Sequence, residues 1–343
     1  MKNFECMALR YHGQYLELLD QTRLPVEEHW LKIQTVDDMY EAIHSLRVRG
    51  APLIGVSAAV FLALYAESGI TENDFLKATE RLRVARPTAV NLMYAIDEIK
   101  KIVHQSFEPQ SITQVAEAIL DADKTLCQKI GEVGAEYIQD GMGILTHCNT
   151  GGLATAGRGT ALGVIQTAFE QGKKIHVYVD ETRPLLQGGR LTTWELGKLG
   201  IPYTLICDNM AAALMRDGKI QCAIVGADRI AMNGDFANKT GTYGVAVACF
   251  HHNVPFYTAA PVTTLDFDCD NGLEIPIEER TGEEVQGVRG AFGKVLWAPE
   301  NAKVYNPAFD ITSAELVTGW ILDTGFYSQS DVEDGALRRL QNK

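Results

Sequence analysis

The amino-acid sequence predicts an α/β protein. Five short apolar runs lie about 20 to 35 residues apart, and Ala-rich helical segments such as residues 160–171 separate them. Strands that alternate with helices are typical of βαβ units, which build a parallel sheet. We therefore predict a Rossmann-like parallel sheet in a C-terminal domain, residues 136–343, and a smaller mixed N-terminal domain, residues 1–135. The apolar runs are Gly143–His147, Lys174–Val179, Tyr203–Ile206, Cys222–Gly226 and Pro255–Ala259.

The N-terminal domain is predicted to combine a short antiparallel sheet with helices. Residues 1–25 alternate loosely between apolar and polar side chains, which indicates a hairpin. After Pro25 the apolar residues recur with a helical period, and Asp37 or Asp38 can cap the helix that this period predicts. We expect that helix to end near Gly50.

Two arginine-containing turns precede helical segments in this domain. Arg49-Gly50-Ala51 leads into an apolar segment, residues 53–66, and Arg86-Pro87-Thr88 leads into a periodic segment, residues 88–102. A guanidinium group beside the positive end of a helix favours an anion. The two turns therefore indicate a shared anion site, and the alternative is that Arg49 only caps a neighbouring helix.

A long helical pattern over residues 111–140 is predicted to link the two domains. Beyond it, each predicted strand is followed by polar residues. In a parallel sheet the carboxyl ends of the strands share one edge, and ligands bind there. The sequence therefore predicts a binding site formed by His147-Cys148-Asn149, Asp180-Glu181-Thr182-Arg183, Cys207-Asp208-Asn209 and Ala227-Asp228-Arg229.

The stretch Gly143–Gly163 joins the first of these strands to a helix and is rich in Gly, Thr and Ala after Asn149. Free amide groups at the start of a helix bind anions, so this loop favours phosphate, although its spacing is neither a Walker pattern nor a dinucleotide fingerprint. Cys148 ends the strand, where helix dipoles favour a thiolate, but most buried cysteines are inert packing. A Cys148–His147 pair is disfavoured, because adjacent strand residues point to opposite faces.

Three further residues are candidates for chemistry. Asp228 follows a buried strand, so we expect desolvation to raise its pKa and make it a general acid; a salt bridge to Arg229 or a helix cap is the alternative. Lys239 precedes an apolar helix in a Gly- and Thr-rich turn, which suits either a phosphate ligand or a solvated loop lysine. Gln187 offers a neutral amide suited to sugar hydroxyl groups.

Composition excludes several classes of partner. The formal net charge of -13 disfavours binding to nucleic acid and to anionic membranes. The seven cysteines contain no CxxC pair, so neither a zinc ribbon nor a disulfide framework is indicated, and no metal cluster is visible in the sequence. The N-terminus lacks the apolar core of a signal peptide, and no stretch approaches the length of a membrane helix. We expect a cytoplasmic protein.

Four segments together resemble the methylthioribose-1-phosphate isomerase family of methionine salvage. They are GILTHCNTGGLATAGRGTALG at Gly143–Gly163, DETRPLLQGGRLT at Asp180–Thr192, GADRIAMNGDFANKTGTYG at Gly226–Gly244 and NPAFDI at Asn306–Ile311. The resemblance runs from Arg49 to about Gly325. That family belongs to a superfamily shared with ribose-1,5-bisphosphate isomerases and with the regulatory subunits of the eukaryotic exchange factor for translation initiation.

The resemblance implies a homodimeric aldose–ketose isomerase that needs neither a metal nor another cofactor. It makes Asp228 the acid that opens the sugar ring, and Cys148 either a proton shuttle or a stabiliser of the transition state. Alternatives are an isomerase for 5-deoxyribose 1-phosphate or ribose 1,5-bisphosphate, and a non-catalytic regulatory subunit that binds a sugar phosphate. The substrate-binding residues that the resemblance implies are Arg49, Gly50, Ala51, Arg86, Gln187, Asn238 and Lys239.

Overall fold

A computed structural model describes residues 1–86, 89–291 and 293–342. By its internal contacts the chain divides into two compact units, residues 1–126 with 152–159 and residues 127–151 with 160–343. The division falls inside a long helix, and the predicted boundary after residue 135 lies at the end of that same helix.

The first unit begins with a four-stranded antiparallel sheet in the order β1-β2-β3-β4. Its strands are β1 Phe4–Glu5, β2 Leu9–Tyr11, β3 Leu16–Leu19 and β4 Trp30–Ile33. The predicted hairpin is confirmed, because β2 pairs with β3 and Leu9 lies opposite Leu18. Strand β4 follows Pro25, where the sequence indicated only a helical period. It was missed because a strand of four residues carries little periodic signal.

Helices make up the rest of the first unit. Thr35 caps the first of them in a capping box with Asp38, so the prediction that Asp37 or Asp38 is the cap is wrong. Asp38 instead occupies the third helical position, from which its carboxylate accepts a hydrogen bond from the Thr35 N–H at 2.8 Å. Pro87 and Thr88, at the predicted start of a later helix, lie outside the described residues. The helices are α1 Val36–His44, α2 Ala51–Glu67, α3 Glu72–Arg83, α4 Val90–Val103 and α5 Pro109–Ala135.

Helix α2 is the apolar segment that was predicted to be buried, and almost all of its side chains between Leu53 and Ala63 are buried. It packs closely against α4 through a glycine. A Cβ atom at Gly55 would lie 2.6 Å from the Asn91 carbonyl oxygen, so only glycine permits this approach. Gly55 is in the second turn of α2 and Asn91 in the first turn of α4, so the N-terminal turns of the two helices are in contact.

The second unit is built on a seven-stranded sheet, and all five predicted strands are confirmed within one or two residues. The strands of this unit, in chain order, are β5 Gly143–Thr146, β6 His176–Asp180, β7 Tyr203–Ile206, β8 Cys222–Val225, β9 Arg229–Ile230, β10 Phe236–Lys239, β11 Phe256–Ala259, β12 Gly287–Gly290, β13 Gly293–Leu296, β14 Phe309–Thr312, β15 Gly319–Leu322 and β16 Gly325–Ser328. The large sheet has the order β16-β15-β11-β8-β5-β6-β7 and is parallel except for β16.

Helices cover both faces of this sheet. Alternate side chains of a strand face opposite ways, so Ile144 packs into one core with α6 whereas Leu145 packs into another with α9. This arrangement confirms the predicted Rossmann-like sheet. The helices of the second unit are α6 Ala161–Glu170, α7 Thr193–Leu199, α8 Ala211–Arg216, α9 Thr242–His252, α10 Glu283–Gln286 and α11 Gln329–Glu333, with a π-helix at Gly188–Thr192 directly before α7.

A second, three-stranded sheet has the order β14-β10-β9; β9 and β10 lie between β8 and α9 along the chain, and β14 follows α9. Its central strand β10 ends at Lys239 and leads into α9 through one tight turn. In the described part of the chain, no helix is both long and apolar enough to cross a membrane.

Candidate active site

Three predicted site residues of the second unit, Cys148, Gln187 and Asp228, follow strands of the large sheet at its carboxyl edge. Strands β8, β5 and β6 are neighbours, so Asp228, Cys148 and the segment from Asp180 to Gln187 follow three adjacent strands. This is the edge at which parallel sheets bind ligands.

Cys148 is the first residue of interest, because it is buried and has an unusual backbone conformation. Its φ angle is 67°, in the left-handed region that non-glycine residues rarely adopt. Its N–H donates to Thr182 Oγ1 at 2.8 Å, and its carbonyl oxygen accepts from Thr192 Oγ1 at 2.7 Å. Two threonine hydroxyl groups therefore hold the peptide groups on either side of the cysteine.

The loop after β6 is anchored by Asp208, which follows the neighbouring strand β7. The N–H groups of Thr182 and Arg183 donate to the two oxygens of this carboxylate, each at 2.7 Å. Thr182 also has a positive φ, 63°, and its hydroxyl donates to the Asp180 carbonyl oxygen at 3.0 Å. These bonds fix the position of the hydroxyl that meets Cys148.

Both ring nitrogens of His147, the residue before Cys148, are within hydrogen-bonding distance of groups other than the thiol. Its Nδ1 lies 3.0 Å from Asp180 Oδ2, and its Nε2 lies 3.0 Å from the Thr240 carbonyl oxygen. Because a carbonyl oxygen only accepts, Nε2 carries a hydrogen and neither ring nitrogen is left for the thiol. This agrees with the prediction against a Cys148–His147 pair.

His147, Asp180 and Asp208 bring possible metal-ligand atoms within 4.8 Å of one another, a grouping that the sequence did not reveal. Both nitrogens of His147 and both oxygens of Asp208 already make hydrogen bonds to the protein. A metal ion would have to displace those bonds, so the donor set fits a hydrogen-bonding network better than a metal centre.

Gln187 lies just before the π-helix and is only 6% exposed. Its Oε1 atom is buried, and it has no hydrogen-bond partner among the described residues. A buried acceptor of this kind costs free energy until a donor reaches it, so it suits a ligand hydroxyl group. The role in binding sugar hydroxyl groups that the sequence suggested for this side chain stays a prediction.

The environment of Asp228 differs from the one that the sequence predicted. Its side chain is exposed, and the expectation of a desolvated carboxyl group is wrong for this structure. The physical reason is that β8 ends at Val225, and two small residues carry the chain out of the sheet before Asp228 is reached. The Asp228 N–H donates to the Ala237 carbonyl oxygen at 2.8 Å, and Arg229, its suggested salt-bridge partner, pairs with Asp266.

Asn238 and Lys239 are the last residues of β10, and both side chains are buried. Asn238 Nδ2 donates to Thr242 Oγ1 at 3.0 Å. Lys239 Nζ donates to the Ala308 carbonyl oxygen at 2.6 Å and lies 4.5 Å from the centroid of the Phe309 ring. Lys239 is therefore a strand residue with an enclosed ammonium group, and the alternative of a solvated loop lysine is wrong.

The start of α9 is occupied by a protein carboxylate. Asp310 accepts hydrogen bonds from the N–H groups of Gly241, at 2.7 Å, and Tyr243, at 3.2 Å. Burial raises the pKa of Asp310, although these bonds and the nearby charges of His147 and Lys239 act in the opposite direction. These two N–H groups therefore serve Asp310, and the role of Lys239 as a phosphate ligand stays a prediction.

The Gly-rich loop after Cys148 also binds a carboxylate of the protein. Its residues 152–159 belong to the first unit, where the Ala156 N–H donates to Asp123 Oδ2 at 2.6 Å. Burial raises the pKa of Asp123 to about 6, with the amide groups of Ala156 and Gly157 opposing the rise. The sequence predicted that this loop binds an anion. At these amides, the anion is the Asp123 side chain of α5.

The remaining predicted residues lie in the first unit. Gly50 precedes α2 with a φ of 83°, and a Cβ atom there would clash with the Ala154 carbonyl oxygen. Ala51 is the first residue of α2, and the Arg86 carbonyl oxygen accepts from the Ala89 N–H at 3.0 Å just before α4. Because the second turn of α2 contacts the first turn of α4, the segments that carry Arg49 and Arg86 lead into helices that are neighbours near their N-terminal ends.

Comparison with known proteins places the chain in a family. Residues 47–329 match the model of the initiation factor 2 subunit family. The chain is 55% identical over 338 residues to the methylthioribose-1-phosphate isomerase of Citrobacter koseri, which covers 98% of this chain and 99% of that protein.

Two solved structures of similar chains extend the comparison. One is 5-methylthioribose 1-phosphate isomerase from Pyrococcus horikoshii OT3, with a TM-score of 0.90 and 40% identity over 98% of this chain and 96% of that chain. The other is translation initiation factor eIF-2B, subunit delta, from A. fulgidus, with a TM-score of 0.88 and 39% identity over 98% of this chain and 100% of that chain. This chain therefore belongs to the initiation factor 2 subunit family and, within it, to the methylthioribose-1-phosphate isomerase family of enzymes.

Proposed function

We propose that this protein converts 5-methylthioribose 1-phosphate into 5-methylthioribulose 1-phosphate in methionine salvage. The observation that carries the proposal is the 55% identity, over 98% of the chain, to a protein named for that reaction. The burial of Cys148 at the carboxyl edge of the sheet and the unpartnered acceptor of Gln187 support it. Both features suit a polar sugar bound beside a thiol.

The reaction has two requirements. A phosphate on the anomeric carbon prevents spontaneous opening to an aldehyde, so an acid must protonate the ring oxygen as the bond from C1 to that oxygen breaks. One hydrogen must then move from C2 to C1 while the C2 hydroxyl loses its proton and becomes the ketone. No atoms or electrons are gained or lost overall, so no external oxidant or reductant is required.

We assign the ring-opening acid to Asp228, and this assignment rests on the family resemblance because its carboxyl group is exposed. Cys148 serves the hydrogen transfer, either by shuttling a proton through an enolate-like intermediate or by stabilising the transition state of a hydride shift. A buried thiol held in one backbone conformation suits either role, because the thiol must lie at a defined position relative to the reacting carbon atoms.

Binding of the sugar phosphate is assigned to the residues that the family resemblance implies. In the first unit, Arg49 and Arg86 precede α2 and α4, which pack against each other near their N-terminal ends, and helix starts favour anions. In the second unit, Gln187 has a buried acceptor for a sugar hydroxyl, and Asn238 and Lys239 supply a buried amide and a buried ammonium group. The assigned residues are Arg49, Gly50, Ala51, Arg86, Gln187, Asn238 and Lys239.

We also infer a homodimer from the resemblance. Tyr243, Val247 and Phe250 are exposed at helical spacing on α9, with Phe250 67% exposed, and such a face suits an interface between two copies. Sedimentation analysis should give twice the mass of the chain, and a monomer at all concentrations would overturn this inference.

One observation favours a second candidate function. The similarity to an eIF-2B subunit delta, at 39% identity, supports a non-catalytic regulatory subunit that binds a sugar phosphate. An isomerase for 5-deoxyribose 1-phosphate or ribose 1,5-bisphosphate is the alternative within the enzyme class.

The deciding experiment measures ketose formation from methylthioribose 1-phosphate and, separately, from the 5-deoxy and 5-phosphate sugars. We expect the methylthio sugar to give the highest kcat/KM. Cys148→Ala and Asp228→Asn should each lower kcat by about 100-fold or more and still bind the product. Cys6→Ala is the matched control and should keep full activity, because Cys6 lies outside the predicted site and its Sγ donates to the Leu9 carbonyl oxygen at 3.3 Å.

Each outcome points to a different conclusion. Near-normal turnover in Cys148→Ala or Asp228→Asn would overturn the assignment of that residue. A higher kcat/KM for another sugar would change the substrate, and the absence of ketose from every sugar would favour the regulatory subunit.

A further inference from the structure

We propose that Thr182 and Thr192 are positioning residues whose hydroxyl groups set the direction of the Cys148 thiol. The inference deepens the proposed function and rests on the role given there to Cys148. From the sequence, Thr182 was predicted only as one of several polar residues at a strand end, and Thr192 was not identified as functional.

The geometry around Cys148 is the first argument. Thr182 Oγ1 accepts from the Cys148 N–H at 2.8 Å, and Thr192 Oγ1 donates to the Cys148 carbonyl oxygen at 2.7 Å. Both threonine side chains are buried, so no solvent competes for these bonds. The peptide groups before and after the cysteine are therefore each held by one hydroxyl.

The backbone of Cys148 is the second argument. A left-handed conformation is unfavourable for a non-glycine residue, so surrounding contacts must hold Cys148 in it. Cys148 lies beyond the last residue of β5, where its peptide groups have left the sheet ladder. The hydroxyl groups replace that ladder, and without them the cysteine could return to an extended conformation, which would turn its Cα–Cβ bond away.

The orientation of the two hydroxyl groups is the third argument. Thr182 Oγ1 donates its own hydrogen to the Asp180 carbonyl oxygen at 3.0 Å, which leaves the oxygen free to accept from Cys148. Thr192 Oγ1 donates to Cys148 and accepts from Asn149 Nδ2 at 3.3 Å. Each hydroxyl is thus oriented by a second partner. Thr182 Oγ1 therefore accepts from Cys148, and Thr192 Oγ1 donates to it.

The π-helix contributes to this arrangement because Thr192 is its last residue. π-helical turns are frequent at functional sites. The adjacent Thr193 points its hydroxyl elsewhere and donates to the Gly189 carbonyl oxygen of its own helical segment at 2.7 Å. Thr193 is therefore a matched control: it has the same residue type, lies one position away, and donates its hydrogen bond to Gly189 instead of Cys148.

The test compares Thr182→Val and Thr192→Val, which remove the hydroxyl and keep the shape, with Thr182→Ser and Thr192→Ser, which keep the hydroxyl. Two quantities are measured for each folded variant. The first is kcat and KM for methylthioribose 1-phosphate. The second is the rate at which iodoacetamide alkylates Cys148, followed by mass spectrometry of the peptide that contains it so that the other cysteines do not interfere.

We expect each valine variant to lower kcat by about 10- to 100-fold while KM changes by less than about 3-fold, because the misplaced Cys148 thiol acts in the chemical step. The alkylation rate of Cys148 should change about 5-fold or more in the same variants. The serine variants should recover both quantities, and Thr193→Val should match the wild type in both.

Three outcomes would overturn the proposal: valine variants with wild-type kcat and alkylation rate, serine variants as impaired as the valine variants, or an equal loss in Thr193→Val. If a valine variant does not fold, the alanine variant takes its place under the same criteria. The alkylation rate needs no isomerase activity. A changed rate in an enzyme whose Cys148→Ala variant stays active would uphold the positioning role and overturn the proposed role of the thiol.

Discussion

His147 Nδ1 lies 3.0 Å from Asp180 Oδ2, and both side chains are almost completely buried. Through its other ring nitrogen, His147 also holds the Thr240 carbonyl oxygen, and the imidazole lies so close to Gly241 that a Cβ atom there would be 2.8 Å from its Cε1. The end of β5, the end of β6 and the turn after β10 are therefore joined through one ring. This links the strand that carries Cys148 to the strand that carries Asn238 and Lys239.

The pair should make stability depend on pH. Although burial opposes a charged imidazole, the hydrogen bond and charge of Asp180, together with the Thr240 carbonyl group, raise the pKa of His147. A pKa that is higher in the folded state than in the unfolded chain contributes stability that is complete below the unfolded pKa, about 6.5, and is lost as pH rises through the folded pKa. Burial raises the pKa of Asp180 to about 6, so its contribution has the same sign.

The first prediction is that His147→Asn lowers the free energy of unfolding by about 1–3 kcal/mol at pH 6 and by less at pH 9. Urea unfolding of wild type and variant at both pH values measures the difference. His176→Asn is the matched control, because His176 lies on β6, as Asp180 does, and its Nε2 bonds the hydroxyl of Thr204 on β7 at 2.8 Å. A loss that is the same at both pH values would rule out the ion-pair explanation.

The second prediction concerns the unpartnered acceptor of Gln187. Gln187→Leu removes a buried carbonyl oxygen that has no partner in the described structure, so the free energy of unfolding should stay constant or rise by about 1 kcal/mol. The same change should raise KM by about 3- to 10-fold, because a sugar hydroxyl loses its acceptor. Thermal unfolding and steady-state kinetics measure the two effects.

Gln166→Leu provides the comparison for Gln187, since Gln166 lies on α6 and donates to Glu170 at the surface. It should leave KM unchanged. If Gln187→Leu lowered stability while KM stayed at the wild-type value, the side chain would be a structural residue and its assignment to the substrate would be withdrawn.

The third prediction separates two reasons for a glycine at position 50. Gly50 and Gly69 both have a positive φ, 83° and 80°, but a Cβ atom clashes with the Ala154 carbonyl oxygen only at Gly50, and it meets nothing within 4 Å at Gly69. Gly69→Ala should therefore cost about 1–2 kcal/mol of stability, and Gly50→Ala clearly more.

Thermal unfolding of both alanine variants measures this difference. Gly50→Ala should also raise KM, because the Arg49-Gly50-Ala51 turn is assigned to the phosphate, whereas Gly69→Ala should not. Equal losses of stability in the two variants would show that the close approach to Ala154 has no energetic importance.

Local patterns were enough to predict much of this molecule. The five parallel strands, the N-terminal hairpin, the buried helix α2 and the long helix α5 all follow from apolar periodicity, which depends on neighbours in sequence. Strand β4 and the cap of α1 were missed, because a four-residue strand has little periodicity and because Asp37, Asp38 and Thr35 are all acceptable caps.

The partners of the polar groups could not be predicted in this way. The loop amides near Ala156 meet Asp123, and the start of α9 meets Asp310, although the sequence suggested a ligand phosphate at both places. In each case the carboxylate comes from a residue more than thirty positions away, and nothing in the local pattern distinguishes it from a bound anion.

By itself the sequence determined the fold class, the family and the chemical types of the candidate residues. Strand periods, helix periods and long motifs all consist of residues that are neighbours in sequence. Only the tertiary structure decided how those residues are held. It showed that Asp228 is exposed, that His147 is hydrogen-bonded to Asp180, and that Thr182 and Thr192 hold Cys148 in a left-handed conformation. These relationships join residues from different strands, and hydrogen bonds across that distance form only when the sheet brings the strand ends together.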